Sequence, residues 1–156
     1  MLHATLPVDI GSEYVENIAE LPIADNNLMS PAEQGFSVDV AAQPVEGGFD
    51  PAFGTITWQT LISGETGRSS GLVLGIATCA AFGTLNLHRH TPPEFYFGLS
   101  GRGTVTIEGV NHVLRAGVAI YIPGNAEHGI MAGAEGLSFA YGFGETAFNE
   151  IEYRFS

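Results

Sequence analysis

Hydrophobic and polar residues alternate along the chain from Phe53 onward, in short runs that glycine-containing turns separate. Because successive side chains of a strand point to opposite faces, this alternation predicts β-strands that bury one face. Turns are predicted at SGETGRSSG, LSGRG, EGVN and PGNAEHG. Many short strands without a long helical period predict an all-β sandwich or closed barrel. The predicted strands lie near residues 54–62, 71–80, 84–88, 94–100, 103–109, 112–115, 118–122, 128–132, 137–143 and 148–154.

The first 50 residues follow a different pattern, with nine acidic residues, no basic residue and four prolines. The segment GSEYVENIAEL, residues 11–21, predicts one short helix, because Ser12 can cap it and acids fill its first turn. The rest of this region is predicted to be extended. We therefore expect an N-terminal arm with one short helix at residues 1–50 and a β-barrel domain at residues 51–156.

Charge excludes several classes of function. The net charge is −12, and all five basic residues are arginines, so the chain has no lysine. Schiff-base chemistry, pyridoxal phosphate attachment and a P-loop lysine are therefore impossible. An acidic surface repels nucleic acid and anionic lipid, so neither is an expected partner. The same charge would favour a substrate with a positive group, although it would equally serve as a solubility device in a salt-adapted organism.

The single cysteine, Cys79, excludes an internal disulfide and a thiolate zinc cluster, and its apolar surroundings predict a small buried side chain. No run of 18 apolar residues is present, so no transmembrane helix is predicted. The first residues lack the basic and apolar regions of a secretory signal, and a cytoplasmic location is expected.

A cluster of possible metal ligands stands out in the segment LHRHTPPEFYFGLSG. His88 and His90 would share one face of a strand, and Glu94 and Tyr96 would share a face by the same rule. His128 follows the later strand GVAIYIPGNAEH. Three imidazoles and a carboxylate suit one divalent transition metal such as Fe, Mn, Ni, Co or Zn. They would leave positions open for water or substrate, as a catalytic site requires.

The spacing of these residues resembles the two motifs of the cupin superfamily. The pattern His-x-His-x3-Glu-x6-Gly begins at His88, and the pattern Gly-x5-Pro-x4-His ends at His128. The usual glycine two residues after the proline is Asn125 here, which also tolerates the left-handed conformation such a turn needs. The resemblance covers about residues 83 to 132. It implies a single cupin β-barrel, or jelly roll, with His88, His90, Glu94 and His128 pointing inward to one metal.

Further segments resemble the small cupin-type dimethylsulfoniopropionate lyases of bacteria, over roughly Trp58 to Tyr153. These segments are SSGLVLG, LHRHTPPEFYF, YIPGNAEH and FNEIEY. The resemblance implies cleavage of a small zwitterionic sulfonium substrate to dimethyl sulfide and acrylate by metal-dependent β-elimination. Such an activity fits the acidic, lysine-free composition of a marine bacterium.

Four aromatic residues are candidates for contact with this substrate. The resemblance implies that Tyr96 is the general base, and proximity to a dication would lower its pKa from the ordinary value of about 10. Tyr153 could hold the substrate carboxylate or assist the base. Trp58 could offer the face of its ring to the sulfonium, or lie in the core. Tyr121 precedes the motif proline in a register that the sequence leaves open.

Two alternatives to a lyase stay open. An oxygen-using dioxygenase could carry the same three histidines and glutamate. A non-catalytic cupin could bind a small ligand without turnover, although no attached DNA-binding region supports a sensor. The N-terminal arm and the cupin scaffold favour a homodimer.

Overall fold

The computed structural model describes residues 35–66 and 69–156, so the predicted helix at residues 11–21 lies outside the described residues. The described part contains strands and three short 3-10 helices, at Val40–Ala42, Gly64–Thr66 and Phe148–Glu150. None of its helices has the length and apolar character needed to cross a membrane. The strands are β1 Glu46–Gly47, β2 Thr57–Ile62, β3 Val73–Cys79, β4 Thr84–Arg89, β5 Glu94–Ile107, β6 Val110–Arg115, β7 Ala119–Ile122, β8 His128–Phe143 and β9 Arg154–Phe155.

All strand pairs in the described residues are antiparallel, which confirms the all-β prediction. One path through the sheet runs β1-β2-β3-β8-β4-β9, and β5 pairs with β6, β7 and β8. The sheet therefore curls, because β8 is shared between β3 and β4 on one side and β5 on the other. Strand β1 lies before the boundary expected at residue 50 and pairs with β2. The division of the chain at that residue stays a prediction.

Strands β5 and β8 are continuous where the sequence predicted two strands each. Register shifts between Gly98 and Ser100 and between Gly101 and Gly103 let β5 bend without losing its pairing. Gly101 has a φ of 70°, and a Cβ there would lie 2.2 Å from the carbonyl oxygen of Gly136. The glycines that predicted a turn therefore mark bulges inside one long strand.

The predicted strand at residues 148–154 is wrong. The segment forms the 3-10 helix Phe148–Glu150, and only Arg154–Phe155 pairs, against β4. Phe148 and Ile151 are three residues apart, a spacing that suits one 3-10 turn better than an extended strand. This C-terminal segment lies beside the strand that carries His88 and is directly followed by His90.

The inner face of the curled sheet forms the core. Along β3 and the first half of β5, alternate residues are buried, as the predicted alternation requires. Cys79 is buried on this face, as predicted, and burial raises the pKa of its thiol to about 11. The polar residues on the inner face therefore lie within an apolar core.

Candidate active site

Three histidines meet on the inner face of the sheet. His88 lies on β4, His90 directly follows that strand, and His128 begins β8, where it pairs with His88. All three side chains are fully buried, and one ring nitrogen of each lies within 4.8 Å of the others. The structure thus brings together the three imidazoles that the sequence predicted as ligands.

Each of these rings is oriented by a backbone carbonyl two residues away. Nδ1 lies 2.8 Å from the oxygen of Asn86 in His88, 2.9 Å from that of Pro92 in His90, and 2.9 Å from that of Ala126 in His128. A carbonyl only accepts hydrogen bonds, so each Nδ1 donates and carries the proton. Each Nε2 then presents a lone pair to the centre, the form in which histidine binds a metal.

Glu94 completes the cluster from the start of β5. Its Oε2 lies 3.3 Å from Nε2 of His90 and 3.2 Å from Nε2 of His128. Burial raises the pKa of Glu94, but the hydrogen bonds and positive charges that His128 and His90 offer when they are protonated outweigh it, and the pKa lies below its usual value. Burial, with the charge of His128, lowers the pKa of His88 to about 4.

This arrangement fits a cation. Three nitrogen lone pairs and a carboxylate oxygen converge without a hydrogen-bond donor, so they repel one another unless positive charge lies between them. Nε2 of His88 is buried without a hydrogen-bond partner among the described residues, which is rare for a buried polar atom. A divalent metal with imidazole and carboxylate ligands would satisfy all four groups. These nitrogen and oxygen ligand atoms are compatible with several divalent metals and do not select one.

A cavity adjoins this cluster, with about 30 Å³ of space open to the centre of a water molecule. Its walls are mostly apolar and aromatic, with a few polar groups, as in many small-molecule sites. The lining residues comprise the two predicted ligands His88 and Glu94, three tyrosines, and apolar or aromatic side chains: Tyr96, Tyr141, Tyr153, Phe53, Ile56, Trp58, Ala77, Leu85, Phe139 and Phe148.

Tyr96 and Tyr153 reach the cavity from different parts of the chain. Tyr96 lies on β5 on the same face as Glu94 and is fully buried, with its ring 6.3 Å from that of His128. Tyr153 lies in the C-terminal segment, with its ring 5.1 Å from that of His88 and 5.4 Å from that of His90. Burial, reinforced by the charge of Glu94, raises the pKa of both phenols well above the usual value.

The sequence analysis missed Tyr141, Phe53 and Phe148 as lining residues. Tyr141 pairs with Tyr96 across β5 and β8, and its hydroxyl lies 3.4 Å from that of Thr60. Its signal in the sequence is weak, because a buried tyrosine on a strand is ordinary core until its cross-strand neighbour is known.

Trp58 lines the cavity, with its ring 5.4 Å from that of Phe53 and 6.3 Å from that of Phe148. Tyr121 lies elsewhere. It pairs with Phe95 on the outer face of β5 and is 67% exposed, so the structure does not place it near the predicted ligands. The alternation along β7 turns Ile120 and Ile122 inward and therefore Tyr121 outward.

The outer side of the ligand cluster carries a polar network. Arg89 points away from the centre and pairs with Glu127, with Nη2 3.1 Å from Oε1. Glu127 also accepts a hydrogen bond from the hydroxyl of Ser156, and Arg154 donates to Oδ1 of Asn125 at 2.9 Å. Asn125 has a φ of 62°, the left-handed conformation in which it replaces the usual glycine.

Comparisons with known proteins agree with this geometry. The cupin-domain family model matches residues 78–138. A dimethylsulfoniopropionate lyase from Ruegeria pomeroyi, DddW, is 55% identical over 120 residues, which cover 77% of this chain and 79% of the relative.

Among solved structures, the polyketide cyclase RemF from Streptomyces resistomycificus has a TM-score of 0.66 at 20% identity, over 78% of this chain and 85% of its own. A structure of the dimethylsulfoniopropionate (DMSP) lyases RdDddP and RnDddQII has a TM-score of 0.63 at 16% identity, over 73% of this chain and 62% of its own. At such identities these structures show a shared cupin fold. The chain therefore belongs to the cupin family that includes the dimethylsulfoniopropionate lyase DddW.

Proposed function

We propose that this protein is a metal-dependent carbon–sulfur lyase that cleaves dimethylsulfoniopropionate to dimethyl sulfide and acrylate. The observation that carries the proposal is a cluster of three histidines and Glu94, of which His88 and Glu94 line one cavity together with the buried Tyr96. The 55% identity to a lyase that acts on this substrate supports the choice of reaction.

The reaction is a β-elimination. A base removes a proton from the carbon next to the carboxylate, the electron pair forms the carbon–carbon double bond, and the carbon–sulfur bond breaks with its electrons leaving on dimethyl sulfide. A divalent metal held by His88, His90, Glu94 and His128 would bind the substrate carboxylate and stabilise the negative charge that develops on it. Iron, manganese, nickel, cobalt and zinc all suit these ligands.

Tyr96 is the proposed base. It follows Glu94 by two residues on the inner face of β5, so its hydroxyl points to the side of the cluster that the cavity borders. Burial disfavours the phenolate, whereas a cation at Glu94 would favour it, and only the second effect prepares Tyr96 to accept a proton. The apolar walls exclude water and strengthen this electrostatic interaction.

The other aromatic residues would bind the substrate. Tyr153 covers His88 and His90 and would hold the carboxylate or assist Tyr96. The rings of Phe53, Trp58 and Phe148 would contact the dimethylsulfonium group, since aromatic faces attract cations. Tyr121 has no role in this proposal because it lies on the outer face.

The direct test is headspace gas chromatography of purified protein with dimethylsulfoniopropionate and each of the five metals in turn. We expect dimethyl sulfide with at least one metal, and its absence with all five would contradict the lyase assignment. Consumption of dissolved oxygen without release of dimethyl sulfide would instead indicate a dioxygenase.

The role of Tyr96 is tested by Tyr96→Phe, with Tyr121→Phe as the matched control because both changes delete one phenol oxygen. We expect Tyr96→Phe to lose roughly 10²- to 10⁴-fold in turnover, as removal of a general base does, while it keeps its metal. Tyr121→Phe should behave like the parent protein. Retained turnover in Tyr96→Phe would move the base to another residue, with Tyr153 first in line.

The predicted homodimer stays a prediction, which light scattering coupled to size exclusion tests. An exposed apolar row on the outer face of β5, Phe95, Phe97 and Leu99, is the surface to mutate if a dimer is found.

A further inference from the structure

Two buried side-chain atoms among the described residues lack a hydrogen-bond partner, Nε2 of His88 and Nε1 of Trp58. Both residues line the same cavity. Buried polar atoms are nearly always paired in folded proteins, so an unpaired atom in a cavity wall indicates a partner that is not part of the chain. For His88 this partner is the cation that the four ligands would hold.

The missing partner of the Trp58 indole nitrogen must be a hydrogen-bond acceptor, not a cation. An indole nitrogen only donates, so it requires an acceptor, and a metal or a sulfonium group cannot supply one. Glu94 already faces two histidines, and the phenol of Tyr141 lies beside Thr60. The carboxylate is the only hydrogen-bond acceptor of the proposed substrate.

The packing around Trp58 holds its ring in place. Trp58 pairs with Glu46 in the register of β1 and β2, and the neighbouring Gly47 lies against the ring. A Cβ at Gly47 would be 2.4 Å from Cζ3 of Trp58, so this glycine provides the space in which the indole lies. The rings of Phe53 and Phe148 contact the indole as well. The N–H therefore has little freedom to turn toward another acceptor.

We infer that the indole N–H of Trp58 donates a hydrogen bond to the carboxylate of the bound substrate and that Trp58 thereby selects carboxylates. This inference rests on the proposed function for the identity of the substrate. In this arrangement the N–H edge of the indole contacts the carboxylate, in addition to any contact between the face of the indole and the sulfonium group.

The sharpest test replaces Trp58 by benzothienylalanine, which keeps the bicyclic ring and exchanges the N–H for sulfur. Because the chain has a single tryptophan, the replacement changes one position. The probes are propionate, a carboxylate without a sulfonium, and trimethylsulfonium, a sulfonium without a carboxylate. Calorimetric titration of the zinc-loaded protein measures the affinity for each, without reference to turnover.

We expect the affinity for propionate to fall roughly tenfold to hundredfold, as loss of a hydrogen bond to a charged group predicts, while trimethylsulfonium binding is unchanged. Phe49→Leu is the control, since it alters an aromatic ring that is 95% exposed and does not line the cavity. It should leave the affinity for propionate within about threefold, since no hydrogen bond is lost. Trp58→Phe is the second variant and should lose propionate affinity to a similar degree.

Unchanged propionate affinity in the benzothienylalanine protein would overturn the inference. An equal loss of propionate and trimethylsulfonium binding would also overturn it, because that result indicates a packing defect. Failure of the proposed function is a separate observation, the absence of dimethyl sulfide from the parent protein. A parent protein that releases the gas and a variant that binds propionate normally would therefore reject only the role of Trp58.

Discussion

The cavity has two walls of different construction. One wall, here called the metal wall, consists of His88 and Glu94 together with His90 and His128, which contact Glu94; a carbonyl two residues away orients each histidine. The other, the aromatic wall, consists of Phe53, Trp58, Phe148 and Tyr153, in which ring contacts join the segment of Phe53 and Trp58 to the distant segment of Phe148 and Tyr153. Local backbone geometry therefore orients each histidine of the metal wall, whereas in the aromatic wall both the positions and the orientations of the rings depend on tertiary packing.

The largest expected effect comes from His88→Ala, which opens the metal wall at its unpartnered nitrogen. Loss of one of four ligands should abolish tight metal binding and reduce dimethyl sulfide release by more than about 10³-fold, since the charge on the substrate carboxylate is then unsupported. Metal content after dialysis and the headspace assay measure both effects. His112→Ala is the control, because that histidine is exposed on β6. A variant that keeps one equivalent of metal would show that His88 is not a ligand.

Gly75→Ala should disturb the apolar interior and leave the metal wall intact. A Cβ at Gly75 would lie 2.4 Å from the hydroxyl oxygen of Tyr141, a ring too rigid to give way easily. We expect a loss of roughly 1–3 kcal/mol in the free energy of unfolding, as for other overpacked cores. Denaturant unfolding measures the change. Gly144→Ala, with nothing within 4 Å of its new Cβ, should cost much less. Equal costs at the two positions would mean that Tyr141 can move aside.

Tyr153→Phe removes one hydroxyl from the aromatic wall and keeps the ring. We expect metal content to be unchanged and kcat/KM to fall roughly tenfold, the size of one lost hydrogen bond to the substrate. Steady-state kinetics of Tyr153→Phe and Tyr96→Phe measures kcat/KM for both variants under the same conditions. A loss as large as that of Tyr96→Phe would indicate that Tyr153 takes part in proton transfer as much as Tyr96 does.

Arg89→Met should have the smallest effect, because the pair between Arg89 and Glu127 is partly exposed to solvent and lies outside the metal wall. Exposed ion pairs contribute little and are screened by salt. We expect a small decrease in thermal stability that shrinks at high ionic strength, with metal content unchanged. Calorimetric melts at two salt concentrations test this. A loss of metal would instead mean that the outer network holds the ligands in position.

The sequence was sufficient to predict that the four side chains of the metal wall meet, because each of them has a local signal, and their role as metal ligands stays a prediction. His88 and His90 follow the period of two along a strand, and Glu94 and His128 stand at fixed distances from glycine and proline turns. Asn125 stands where the cupin motif usually has glycine, and this difference was also predictable, because asparagine tolerates the left-handed conformation that Asn125 adopts.

The aromatic wall was harder to predict because tertiary packing decides it. The sequence predicts a strand for Phe148 and Tyr153, yet Phe148 begins a 3-10 helix, Tyr153 directly precedes a short strand, and both line the cavity. Phe53 and Tyr141 carry no mark that distinguishes a lining residue from a core residue. Tyr96, the cross-strand partner of Tyr141, and Tyr153, a ring neighbour of Phe53, lie far away in the chain, so no local pattern could identify these contacts.

The pairing of β5 with β8 has a consequence for assembly. Glu94 pairs with Phe143 at one end of the two strands, and His128 pairs with Ile107 at the other end. Thirteen residues separate Glu94 from Ile107, roughly 43 Å along an extended strand. Yet Oε2 of Glu94 lies 3.2 Å from Nε2 of His128, so the sheet must roll up before the two ligands can meet. An ion bound by both residues would therefore hold the rolled sheet together, and its binding free energy would add to the stability of the folded state.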